Sequence, residues 1–74
     1  PNPTNGIINI NSNDGSYLMN EIIITDLQGK VIVSRSNIKN NAETIDLREF
    51  TSGNYIIEIR TNKGTMTTSL QLKK

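Results

Sequence analysis

The chain has 74 residues, eight lysine and arginine side chains against seven aspartates and glutamates, a formal net charge of +1, and neither histidine nor cysteine. A chain of that length holds one small domain, burying only roughly 60% of its unfolded surface, and its composition removes disulfides, thiolate metal sites and the commonest general base. The charges are dispersed rather than clustered, which argues against a nucleic-acid footprint, and no apolar run approaches the roughly 20 residues of a membrane-spanning helix.

The sequence begins at Pro1 with no initiator methionine, signal peptide or tag, so residues 1–74 are expected to be one domain taken from a longer protein. Pro1, Asn2 and Pro3, followed by Thr4-Asn5-Gly6, read as an extended lead-in closed by a turn. Residues 6–10 form the first strand candidate. Residues 11–16 are a polar turn rich in side chains that hydrogen-bond their own backbone. From Tyr17 and Leu18 an extended run reaches Thr25, and the β-branched density of Ile22-Ile23-Ile24 rules against helix. Asp26-Leu27-Gln28-Gly29-Lys30 resembles a type I turn closed by a glycine in the left-handed region, with the Asp26 carboxylate accepting a backbone N–H inside it. A strand over residues 30–35 follows.

Residues 36–42 are polar and rich in asparagine, with Ile38 as the one core anchor. Residues 43–47 alternate again, Ile45 and Leu47 inward, and the link to Ser52-Gly53 has room for a single helical turn. Gly53-Asn54-Tyr55 resembles a tyrosine corner, in which a tyrosine starting a strand bonds back to the preceding crossover while a glycine lets that crossover pass close by. A tyrosine packed at a sheet edge is the other reading. Tyr55, Ile57 and Ile59 alternate with Ile56, Glu58 and Arg60, and Met66, Thr68, Leu70 and Leu72 alternate with Thr67, Ser69 and Gln71. A loop of residues 61–64 sets Ile59 opposite Met66 and Tyr55 opposite Leu70, while a one-residue slip would turn an apolar set outward. The sum is an all-β chain, an immunoglobulin-like β-sandwich of about seven short antiparallel strands with a thin isoleucine core.

No residues are placed for acid–base or nucleophilic chemistry. Asp26 and Asp46 are explained by turns and strand ends, and Glu21, Glu43, Glu49 and Glu58 read as solvent-facing, so the chain is not expected to be an enzyme. Asn9, Asn11, Asn13, Asp14 and Gly15 fall short of a calcium loop in carboxylates, and no metal or other cofactor is expected. The three aromatics, Tyr17, Phe50 and Tyr55, give little support to a sugar-binding platform. On composition alone Lys73 and Lys74 are a solvated end.

Taken in order, Pro1-Asn2-Pro3-Thr4 with Gly6, Asp26-Leu27-Gln28-Gly29-Lys30, Ile45-Asp46-Leu47 and Ser52-Gly53-Asn54-Tyr55-Ile56-Ile57-Glu58-Ile59 resemble the type A C-terminal sorting domain of the type IX secretion system. The set covers essentially the whole chain and ends on a strand with Leu-Gln-Leu and Lys-Lys. The family usually carries a few apolar residues before Pro-Asn-Pro, so the resemblance implies a first half-strand upstream of Pro1. It further implies a secretion address on an N-terminal cargo domain of the same chain, which passes through the periplasm of a Gram-negative bacterium to the cell surface or medium. The implied partners are the type IX translocon and an outer-membrane sortase-like peptidase whose substrate is this domain. Carried onto this sequence, the signal-bearing positions are Gly29, Lys30, Leu72, Lys73 and Lys74, with Pro1, Asn2, Pro3, Asp26, Gly53 and Tyr55 as the structural motif. A final strand at a sheet edge would offer backbone groups for a receptor strand to complete, or for self-association. A structural spacer and a carbohydrate-binding module remain alternatives.

Overall fold

The computed structural model describes residues 5–11, 18–36 and 38–73. The expected lead-in at Pro1, Asn2 and Pro3, most of the polar turn that follows residue 11, Tyr17 and Lys74 lie outside them. The described residues form six strands and no helix, β1 (Ile7–Asn11), β2 (Met19–Asp26), β3 (Val31–Arg35), β4 (Ala42–Asp46), β5 (Gly53–Thr61) and β6 (Gly64–Leu72). The link between β4 and β5 turns without becoming helical, closed by a bond from the Phe50 N–H to the Leu47 carbonyl at 3.0 Å.

The strands make two antiparallel sheets, one ordered β3-β2-β5-β6 and one pairing β1 with β4. In the strand letters of the immunoglobulin fold these are C′-C-F-G and B-E. Counterparts of A and D do not occur among the described residues, so the sandwich has six strands where about seven were expected. Residues directly opposite in an antiparallel pair share a face. Ile22 opposite Ile59 and Ile24 opposite Ile57 therefore build rows across β2 and β5, and Ile8 opposite Ile45 builds the facing row across β1 and β4.

All six of these isoleucines are buried, together with Met19, Ile38, Leu47, Tyr55, Leu70 and Leu72. Each such side chain contributes about 1.5–3 kcal/mol relative to exposure, and isoleucine suits the pleated surface because its branched carbon packs against neighbours on the same face. Ile38 is seated by backbone bonds that staple the asparagine-rich crossover to β2, from its own N–H to the Asn20 carbonyl at 3.2 Å and from the Met19 N–H to the Asn40 carbonyl at 2.8 Å.

The β5–β6 register is the one the alternation requires, Ile59 opposite Met66 and Tyr55 opposite Leu70. The loop is tighter than residues 61–64, because Thr61 and Gly64 themselves pair and leave only Asn62 and Lys63 between them. The Thr61 hydroxyl accepts the Lys63 N–H at 3.0 Å and donates to the Gly64 carbonyl at 2.8 Å. One expectation is corrected. Met66 lies on the inward side of β6 yet is 42% exposed, and Thr68 beside it is exposed too. The difference runs along β6, whose residues 64–69 are all exposed while Leu70 and Leu72 are each 1% exposed.

Candidate recognition end of the four-stranded sheet

Register gathers the sequence motifs at one end of the molecule. Asp26 closes β2 opposite Tyr55, the third residue of β5, and Gly53 lies opposite Leu72 at the end of β6. The Asp26–Lys30 turn, the Tyr55 corner and the end of β6 are thus neighbours although they are spread over nearly fifty positions. Pro1, Asn2, Pro3 and Lys74 fall outside the described residues and have no placement here.

The turn is built around one carboxylate. Asp26 Oδ1 accepts the N–H groups of Gln28 and Lys30, each at 2.9 Å. The Asp26 carbonyl accepts the Gly29 N–H at 3.1 Å, and the Asp26 N–H donates to the Lys30 carbonyl at 2.9 Å. Gly29 has φ +89° with open space where a side chain would stand, so it is required by backbone conformation and not by crowding. The turn delivers β3 with a register shift opposite Ile24 and Thr25, which leaves Ile32 out of the pairing.

The corner takes the first of the two readings its sequence left open. The Tyr55 hydroxyl donates to the Thr51 carbonyl at 2.6 Å, four residues upstream, with the Thr51 hydroxyl 3.5 Å away. Tyr55 stands near the start of the strand equivalent to F, where this hydrogen bond occurs in immunoglobulin-type sandwiches. Gly53 does not admit a close crossover, since the place of its missing side chain is open for 4 Å. The close approach occurs at Gly6, where a Cβ would meet Arg48 Cγ at 2.6 Å and Arg48 Cα at 3.3 Å. Arg48 is itself held by Asp46 through bonds of 3.0 and 2.8 Å, which raise the guanidinium pKa further above its ordinary value. Gly6 stands in the opening motif, but its crowding depends on a residue 42 positions later and left no local signal.

Between turn and corner lies an open hollow of about 470 Å³, lined by Asp26, Lys30, Val31, Ile32, Glu49, Phe50, Thr51 and Tyr55. Its lining is partly apolar, Val31 being 52% exposed, and Leu27, at the tip of the turn, is 66% exposed. Lys30 and Lys73 are exposed, and among the described residues neither takes part in an ion pair. The Asp26 carboxylate is occupied by the turn. The end therefore offers cationic groups and apolar contact.

Elsewhere the carboxylates are engaged structurally. Glu21 and Glu58, expected to be simply solvent-facing, are half-buried and share Arg60 at 3.0 and 2.8 Å, and Glu43 lies 3.9 Å from Arg35. Among the described residues no group of acidic side chains is arranged to hold a metal ion. Of the described aromatics, Tyr55 is buried and Phe50 half-buried. No described helix is long and apolar enough to cross a membrane.

A protein-family model described as "Secretion system C-terminal sorting domain" matches residues 1–73. No curated protein matches the chain, and no solved structure matches it.

Proposed function

The chain belongs to the family of secretion system C-terminal sorting domains, and on that premise we propose that it is a type A signal of the type IX secretion system, read largely at the end of the sheet where its motifs meet. The cargo is an N-terminal domain of the same chain. It passes from the periplasm of a Gram-negative bacterium across the outer membrane to the cell surface or medium. The translocon recognises the folded domain, and a sortase-like peptidase then removes it, so the domain is a substrate and not a catalyst.

The observation that carries this reading is the convergence of the turn, the corner and the end of β6. Leu72 is 1% exposed and fixes the last strand against the core, and Lys73 follows it directly into solvent. Lys30 stands at the same end, held in place by the Asp26 carboxylate. On this reading Gly29 and Tyr55 shape the recognised surface, Gly53 marks the start of β5, and Lys30, Lys73 and Lys74 contact the machinery as point charges with several donors each.

The test is a secretion assay. Residues 1–74 with their native upstream linker are fused behind a periplasm-targeted fluorescent protein in a host that has the type IX machinery, beside a copy lacking Lys73 and Lys74. Fluorescence is expected at the surface or in the medium only with the intact chain. Equal secretion of the two would remove the terminal lysines from the signal. Periplasmic retention of both, with the domain shown to be folded, would reduce the chain to a structural spacer.

A further inference from the structure

The first half of β6 has no role in the recognition end, because it lies at the opposite end of the strand, next to the Asn62-Lys63 loop. Thr61 and Gly64 close a two-residue hairpin as a hydrogen-bonded pair, so Gly64, Met66 and Thr68 direct their backbone groups to β5, while Thr65 and Thr67 direct theirs away from the sheet. Among the described residues β6 is an outer strand of its sheet, and residues 64–69 are all exposed. Ser69 and Gln71 already take part in other interactions, which confines the available edge to the segment around Met66.

Exposed edges are ordinarily blunted by charge, proline, bulges or brevity. β6 has none of these, with nine residues, Gly64–Leu72, and no charged or proline side chain. We propose that this segment pairs with the same segment of a second copy, antiparallel and centred on Met66, so that the two four-stranded sheets become one of eight strands. That register is self-complementary. Thr65 and Thr67 of one copy meet Thr67 and Thr65 of the other through the backbone groups turned away from β5, and their hydroxyls share a face on which cross-strand threonine pairs are favourable. The two Met66 side chains meet on the other face and cover each other. No like charges are brought together, since the nearest cation, Lys63, falls opposite Ser69. The contact goes beyond the sorting reading and does not depend on it.

The test uses purified residues 1–74. Sedimentation velocity up to about 1 mM, the weak end of specific affinities, is expected to show a reversible monomer–dimer shift. Thr67→Pro removes an N–H that makes no bond within the sheet, as an edge strand tolerates. Thr67→Lys adds an edge charge without altering the backbone. Both are expected to abolish the shift, and the lysine variant keeps the comparison valid should the proline variant fold poorly. In a chain without cysteine, Met66→Cys is expected to form a disulfide-linked dimer at least about tenfold faster than Ser34→Cys on the opposite edge, because pairing raises its effective concentration and brings Cα atoms within disulfide range. A wild-type chain that stays monomeric leaves the edge to some other strand and overturns the proposal. A shift that survives Thr67→Lys, or equal cross-linking of the two cysteine variants, overturns the assigned edge and register.

Discussion

β3 and β6 flank the same sheet, yet β3 spans five residues, is offset by a bulge and is bracketed by Lys30 and Arg35, whereas β6 spans nine and carries no charge. Their attachments differ in the same sense. β3 contributes Ile32 and Val33, half-buried, while β6 plants Leu70 and Leu72 fully in the core and leaves its other half uncovered. A small sandwich thus need not defend both edges alike. The edge that is deeply anchored at one end can stay open at the other, whereas the weakly anchored edge carries the charges and the bulge that discourage pairing.

Substitutions at the two anchors probe this contrast most strongly. Leu70→Ala should cost about 2–5 kcal/mol, a large part of the roughly 4–11 kcal/mol expected for a chain this size. Val33→Ala should cost no more than about 1 kcal/mol. Urea denaturation compares them, and equal losses would erase the distinction between the edges. Gly29→Ala forces a side chain into the left-handed region and should cost about 1 kcal/mol. Its mark should be local, with faster amide hydrogen exchange in β3 and none in β6, and uniform acceleration across the sheet would argue against it. Tyr55→Phe deletes the donor to the Thr51 carbonyl and should lower stability by about 1 kcal/mol with the fold intact, whereas an unchanged melting temperature would demote the corner to a packing contact. Thr67→Lys should stay within about 0.5 kcal/mol of wild type, and a larger loss would mean that the open half of β6 has support the described contacts lack.

Much of this architecture is legible in the residues because its causes are local. Period-two alternation places Ile57 and Ile59 inward and, through the hairpin, fixes Tyr55 against Leu70. The spacing of Asp26 from Gly29 describes a turn whose every bond lies within five residues. What escapes the sequence depends on distant partners. Met66 continues a perfect alternation and is still exposed, because alternation decides which face a side chain takes and not what lies over that face. Gly53 sits in a motif that suggests a tight passage and has open space around it, while the tight passage occurs at Gly6 against Arg48. For the candidate recognition end, the motifs are visible singly, but their meeting depends on the β2–β5 and β5–β6 registers.

The pairing of β1 with β4 carries a consequence in time. Ile7 pairs with Asp46 across a separation of 39 positions, and even the nearest β2–β5 pair, Asp26 with Tyr55, is 29 positions apart, while the β2–β3 and β5–β6 hairpins close over a few residues each. Hairpins assemble within microseconds, whereas long closures come later and slow the whole process. Until β1 arrives, the four-stranded sheet has no complete second layer, and Ile22, Ile24, Ile57 and Ile59 face water. Two non-local pairings, β2 with β5 and β1 with β4, must therefore close before the core is sealed, and the newly made chain passes through a sticky, half-roofed interval whose length is set by both.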